Sequence, residues 1–207
     1  MIALGLNANL QIESRRYGVL ALANLTSTTA NHMTIVEDGG LAAFFSLCNS
    51  PDLMSQYYVG CALANLSCSI ANHHIIVEQG GLQAIIALAN CPDPDVHQQA
   101  AAALRGLAVS EANKMKMVQE GALIPLCHLL TSDDVEILRE VVACLANLAL
   151  GDENKYEIVK AGAVAPLITL MQSADMLVAS QAAATLANLA EMGVNQDNII
   201  IYNNTCK

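Results

Sequence analysis

Asn24, Asn65, Asn147 and Asn188 recur on a spacing of 41 residues, and Gly106 holds the remaining place in the series. A carboxamide has a donor end and an acceptor end, so a row of them has the chemistry to pair with the backbone of an extended peptide. On a helix, Asn147 shares one face with the positions four, seven and eight residues before it. Applied at each interval, that rule sets Arg16, Tyr17, Tyr57, Tyr58, Gln98, Gln99, Arg139, Glu140, Ser180 and Gln181 beside the asparagines. Packed helices stand roughly 8–10 Å apart, and an extended chain advances about 3.3–3.6 Å per residue. One asparagine would then meet every second or third residue of a ligand. The same amides are also suited to bonding the backbone of a neighbouring helix and fixing repeat geometry, and both readings stay open. The candidate peptide-binding residues are Arg16, Tyr17, Asn24, Tyr57, Tyr58, Asn65, Gln98, Gln99, Arg139, Asn147 and Asn188.

Other reactive side chains fall short of a site. His73 and His74 are adjacent, so on a helix they point about 100° apart, and no ligand follows at i+4; solvated helix surface accounts for them. His32 occupies the register of His73, which points to repeat geometry. Cys61 and Cys144 lie in alanine- and leucine-rich stretches of an acidic chain, unlike the electropositive surroundings of a nucleophilic thiol. The pairs Asp133-Asp134 and Asp152-Glu153 fall at helix starts, where capping explains them. No strand precedes a Gly-rich phosphate loop. The expectation is a chain that is not an enzyme, with no catalytic residue, no metal site and no cofactor.

The elements that must carry the asparagines follow from the same period. Leu22, Leu63, Leu104, Leu145 and Leu186 keep register on one side of the series, and Leu25, Leu66, Leu107, Leu148 and Leu189 on the other. Asn31, Asn72, Asn113, Asn154 and Asn195 form a second row; Gly39, Gly80, Gly121 and Gly162 form a third. In residues 72–112, Asn72 is expected to cap a short helix from His73 to Gln79 with Val77 buried, ended by Gly80 in the left-handed conformation. Val36, Val118, Val159 and Ile200 repeat that buried point. A medium helix follows over Leu82 to Asn90, with Pro125 and Pro166 in the first turn of its later counterparts. Asp93 then caps a third, longer helix, as do Asp52, Asp134 and Asp175 at the same register. Along it Val96, Ala100, Ala103, Leu104 and Leu107 make one apolar face. No such helix buries its stripe alone, so neighbouring units must stack.

A period near 41, three helices per unit, N-x-x-x-[IV]-[VI]-x-x-G-[GA] and a long helix ending A-L-x-N-L together resemble the armadillo repeat. The resemblance spans essentially residues 1–200. It implies an all-α, right-handed armadillo-repeat solenoid of three-helix units with a 41-residue period. The units are 1–30 (second and third helices only), 31–71, 72–112, 113–153 and 154–194, with 195–207 a further start and a divergent tail. In armadillo families extended partner segments lie along the concave groove of third helices, which makes this chain a protein-interaction scaffold or adaptor.

Within the family, nuclear-import adaptors carry tryptophan four residues before each asparagine; here those positions are Leu20, Cys61, Ala102, Ala143 and Ala184, and the chain has no tryptophan. Catenin-type arrays bind acidic tails through a strongly positive groove, which Arg16, Arg105 and Arg139 alone do not build. Gln56-Tyr57-Tyr58, Glu111-Ala112-Asn113-Lys114 and Gly121-Ala122-Leu123-Ile124-Pro125-Leu126 are similar to vacuolar-protein-8-like scaffolds. Those are adaptors attached to a vacuolar membrane by N-terminal lipidation, whereas this chain opens Met-Ile-Ala, without the glycine that myristoylation needs.

Composition narrows the partners. Nine basic against 19 acidic residues give a net charge of −10, spread evenly over both halves, so nucleic acid and anionic lipid are not expected ligands. Seven cysteines without a C-x-x-C pair fit a reducing, cytoplasmic setting with thiols used in packing. No apolar run is long enough to insert directly into a membrane, leaving peripheral association with a vacuolar or other organelle membrane through partners or a missing N-terminal segment. The expected partner is a protein or peptide in extended conformation, uncharged or mildly basic. The alternative is assembly: neither end shows a polar cap, so terminal repeats would self-associate through Leu4, Leu6 or Ile199, or the chain is a fragment of a longer array.

Overall fold

The long helices Leu53–Ser67, Pro94–Leu107, Val135–Leu148 and Met176–Ala190 each start on an aspartate whose carboxylate accepts a backbone N–H that the helix itself leaves unpaired. The long helix Ile12–Thr26 instead follows Gln11 without a side-chain cap. Asp52 accepts from Ser55 N at 3.1 Å, Asp93 from Asp95 N at 2.9 Å and Asp134 from Glu136 N at 2.8 Å; Asp175 takes both Leu177 N and Val178 N. The computed structural model describes Ile2, Asn7 and residues 11–191. Thirteen α-helices, a short 3-10 turn and no strand lie within residues 11–191. The chain divides into two compact units, Met1–Leu107 and Ala108–Lys207.

In the first unit the helices are α1 (Ile12–Thr26), α2 (His32–Glu37), α3 (Gly40–Phe45), α4 (Leu53–Ser67), α5 (Ile70–Glu78), α6 (Gly81–Ala89) and α7 (Pro94–Leu107). The long helices α1, α4 and α7 lie side by side, with α6 packed against α7. In the second unit they are α8 (Glu111–Gln119), α9 (Leu123–Leu129), α10 (Val135–Leu148), α11 (Asp152–Lys160), α12 (Val164–Leu170) and α13 (Met176–Ala190). Here α10 packs on α13, and α12 backs α13. The expected core face is present: Val96, Ala100, Ala103, Leu104 and Leu107 are each 0 % exposed. Gly39, Gly80, Gly121 and Gly162 hold φ of 85°, 87°, 93° and 86°, the left-handed turn that ends each first helix.

The corners between helices are closed by side chains that reach back six residues to a carbonyl at the end of the preceding helix. Asn31 Nδ2 donates to Leu25 O at 3.0 Å, Asn72 Nδ2 to Leu66 O at 2.9 Å and Asn154 Nδ2 to Leu148 O at 3.3 Å. One residue on, His32 Nε2 donates to Thr26 O and His73 Nε2 to Ser67 O, both at 2.7 Å. Gln56 reaches Ser50 O at 2.7 Å, and His97 reaches Cys91 O, at the corner before the long helix. The last carbonyls of a helix have no partner within it, and these side chains supply one.

Several expectations are corrected here. Asn72 does not cap its helix: α5 begins at Ile70 after extended Ser69, so Asn72 sits in the first turn and bonds backwards. First helices are consequently no shorter than second ones, at nine residues each in α5 and α6. His73 is not solvated; it is 3 % exposed on its carbonyl. His74 alone faces solvent, 3.2 Å from Glu78. Val118 is half-buried rather than buried. Leu4, Leu6, Asn195, Ile199, Ile200 and the tail lie outside the described residues.

His73→Ala leaves the Ser67 carbonyl and a buried void, and is expected to lower stability to urea by about 1–3 kcal/mol, as is Asn72→Ala at the Leu66 carbonyl. His74→Ala, one residue away, should stay within about 0.5 kcal/mol. Equal effects at His73 and His74 would contradict the corner bonding.

Candidate functional site

In the first unit the candidate face is built on α1, α4 and α7. Tyr17 is 66 % exposed and Asn24 is exposed, while Tyr57, Tyr58, Asn65, Gln98 and Gln99 are half-buried. The Tyr57 and Tyr58 rings meet edge to face, centroids 5.7 Å apart. In the second unit α10 and α13 present Arg139, Asn147 and Asn188, all half-buried.

The asparagines are not equivalent. Asn65 Nδ2 donates to the Thr26 hydroxyl at 3.1 Å, tying α4 to the end of α1. The amides of Asn24, Asn147 and Asn188 make no hydrogen bond with any described residue. The row breaks at Gly106 for a steric reason: a Cβ there would lie 2.4 Å from Ser67 Oγ and 2.8 Å from Ser67 O. Ser67 is the register counterpart of Thr26, so its hydroxyl fills the space an asparagine at 106 would need.

Both arginines assigned to the face are engaged in ion pairs. Arg16 Nε and Nη2 donate to Asp52 at 2.8 and 2.5 Å. Arg139 Nε and Nη2 donate to Asp175 at 3.2 and 2.6 Å, and Nη1 to Glu136 at 2.6 Å. Each arginine thus holds the capping carboxylate of the next long helix in its unit, 36 residues on. The Arg16 hydrogen bond holds the Asp52 carboxyl below the usual carboxylate range against the opposing effect of desolvation, and Arg139 does the same for Asp175. Sequence reasoning missed these partners, and missed Thr26 and Ser67. The signal was present: an arginine 36 residues before a capping aspartate, and hydroxyls at a register that is otherwise Ala108 and Ala149.

Burial pushes Cys48 up to about 12 and Cys127 up to about 11, and raises Cys61, whose neighbour Tyr57 is itself raised through a hydrogen bond with that thiol. Among the described residues no group of three or more His, Cys, Asp or Glu side chains could hold a metal ion, and no helix is long and apolar enough to cross a membrane.

The Armadillo/beta-catenin-like repeat family matches residues 72–109, 110–150 and 151–191. Among solved structures, an engineered protein aligns at 32 % identity and a TM-score of 0.83, covering 91 % of this chain and 77 % of its own. Computationally designed armadillo repeat proteins for modular peptide recognition align at 26 % and 0.85, covering 90 % and 79 %. A designed armadillo repeat protein in complex with the peptide (KR)4 aligns at 26 % and 0.82, covering 91 % and 80 %. Comparison with curated proteins found no match.

Two predictions follow from the geometry. A carboxylate whose folded pKa is depressed stabilises the fold above its unfolded value, about 3.9 for aspartate, and loses that contribution as pH falls through the folded value. Asp52→Asn with Asp175→Asn should therefore lower the melting temperature at pH 7 and shallow its decline below about pH 4, read by thermal melts across pH. Gly106→Asn should fail to complete the row and instead destabilise by about 1–3 kcal/mol through the Ser67 clash; unchanged urea stability would refute that cause.

Proposed function

Because this chain belongs to the armadillo/beta-catenin-like repeat family, we propose that it is a non-enzymatic scaffold holding an extended segment of a partner protein against its long helices. The observation that carries this reading is the set of uncommitted amides, Asn24, Asn147 and Asn188, on a face whose arginines are already paired with carboxylates. An amide left half-exposed without a protein partner is available to a ligand backbone at no cost in broken bonds. Tyr17, Tyr57 and Tyr58 add aromatic surface in the first unit, and Gln98 and Gln99 further amides.

Charge selects the segment. The chain carries −10 overall, and Arg16 and Arg139 are neutralised by their aspartates, so an acidic segment would meet uncompensated repulsion. An uncharged or mildly basic segment suits the face; the designed neighbour in complex with (KR)4 supports a basic rather than an acidic one. The odd number of cysteines without close pairs supports a cytoplasmic adaptor, and the acidic balance argues against nucleic acid.

Fluorescence anisotropy with labelled (KR)4 and an acidic octapeptide tests the reading. The basic peptide should bind and the acidic one should not. Asn65→Ala with Asn147→Ala should weaken binding about ten-fold or more, two amide contacts being removed, with helicity retained and stability lowered only by the one Thr26 hydrogen bond, about 0.5–1.5 kcal/mol. Loss of fold in that variant, or unchanged affinity, would remove these asparagines from the ligand.

A second reading, self-association, is favoured by a cavity of about 380 Å³ in the first unit, lined by Ile2, Leu22, Leu25, Thr34 and Ile35 among others. Leu25 is 38 % exposed there, although its register counterpart Leu66 is 0 % exposed. Sedimentation should then show oligomers that Leu25→Asp abolishes; a monomer at high concentration would dismiss it.

A further inference from the structure

We propose that Thr26 is a positioning residue for ligand recognition, acting by fixing which end of the Asn65 amide faces the ligand. The proposal rests on the peptide-scaffold reading above and names the residue that prepares one of its contacts.

The Thr26 hydroxyl is 1 % exposed and donates its proton to Ala23 O at 2.6 Å, one turn back in α1. With that proton committed, the oxygen can only accept. It accepts from Asn65 Nδ2 at 3.1 Å. A free asparagine side chain rotates and presents either its donor or its acceptor end. Here the NH2 end is drawn toward α1, so Oδ1 and the second N–H are set in one orientation before any ligand arrives. Oδ1 accepts no hydrogen bond from a described residue. Asn65 is thereby held to read a donor, such as a backbone N–H, with its rotamer entropy already lost on folding rather than on binding.

No other place in the series shows this arrangement. Ser67 keeps a hydroxyl that donates to Ala64 O at 2.8 Å, but the residue facing it is Gly106, with no side chain to orient. At the next two counterparts, Ala108 and Ala149, the hydroxyl is gone, and Asn147 and Asn188 are unanchored. Thr26 makes Asn65 the one preorganised amide among the described asparagines of the series.

The test is a double-mutant cycle on Thr26 and Asn65, read by anisotropy with the (KR)4 peptide on the full chain. Thr26→Val keeps the shape and removes the acceptor; it should weaken binding about three- to ten-fold, the range for one neutral hydrogen bond. Thr26→Ser should restore near-wild-type affinity, since serine retains the oxygen. Thr26→Val added to Asn65→Ala should cause no further loss, a coupling that a purely structural role for Thr26 would not produce. The Asn65 side-chain amide NMR signals should move in Thr26→Val while those of Asn147 stay, which reads the orientation even if that variant melts early. If Asn65→Ala weakens binding but Thr26→Val does not, or if the two losses add, the positioning role is overturned and the scaffold reading stands. If Asn65→Ala itself leaves affinity unchanged, the assignment of this face to the ligand fails, and the proposal with it.

Discussion

The structure depends on how it treats the carbonyls at the ends of its helices. Stacked helices of 14 or 15 residues, joined by corners of two or three, bring the last turn of each against the next element before water can reach it. Those carbonyls have no partner within their own helix, and a buried unpaired one costs about 1–3 kcal/mol. The chain answers with an asparagine or histidine six residues on, whose side chain folds back to the carbonyl. The bond sets the angle at which the following helix departs, because donor and acceptor lie in different helices. In the second unit, lysine replaces histidine at this register: Lys114 and Lys155 are 6 % and 4 % exposed and paired with Glu111 and with Asp152 and Glu191. At this register the buried group is thus held by carboxylates rather than by a carbonyl.

Capping at the opposite end of the long helices has a consequence for binding. One aspartate both closes the first turn of its helix and receives the guanidinium of the preceding long helix. That arrangement orients successive helices through a two-pronged contact, and it removes the cation from the face. An array that spends its arginines on its own geometry has little to offer an acidic segment. On the proposed binding face the groups that remain are neutral, amides and tyrosines, which would discriminate by hydrogen-bond direction and shape.

The amide series shows how structure and recognition compete for the same side chains. Asn65 is partly structural, since it bridges α4 to Thr26, while its acceptor oxygen takes no hydrogen bond from a described residue. At 106 packing wins outright: Ser67 stands where a side chain would be, and only glycine fits. At 24, 147 and 188 the amides carry no structural bond. A series that looks uniform in one dimension therefore contains three states, and the difference lies in the residue on the neighbouring helix rather than in the series itself.

Much of this was legible in the residues. The period, the aspartate caps, the left-handed glycines and the apolar face from Val96 to Leu107 are local or periodic properties. A cap acts within three residues, and a helical stripe is fixed by 3.6 residues per turn. The reading misjudged Asn72 and His73 because a helix that begins at Ile70 rather than His73 turns both side chains inward. It missed the partners of Arg16 and the Thr26–Asn65 bond, which join residues 36 and 39 apart. Which segments become helices and which faces must be covered can be read from the residues alone, since both follow from short-range geometry and the aversion of apolar surface to water. Only the tertiary structure decided which polar side chain meets which, because a hydrogen bond needs two atoms within about 3 Å and stacking alone sets that distance.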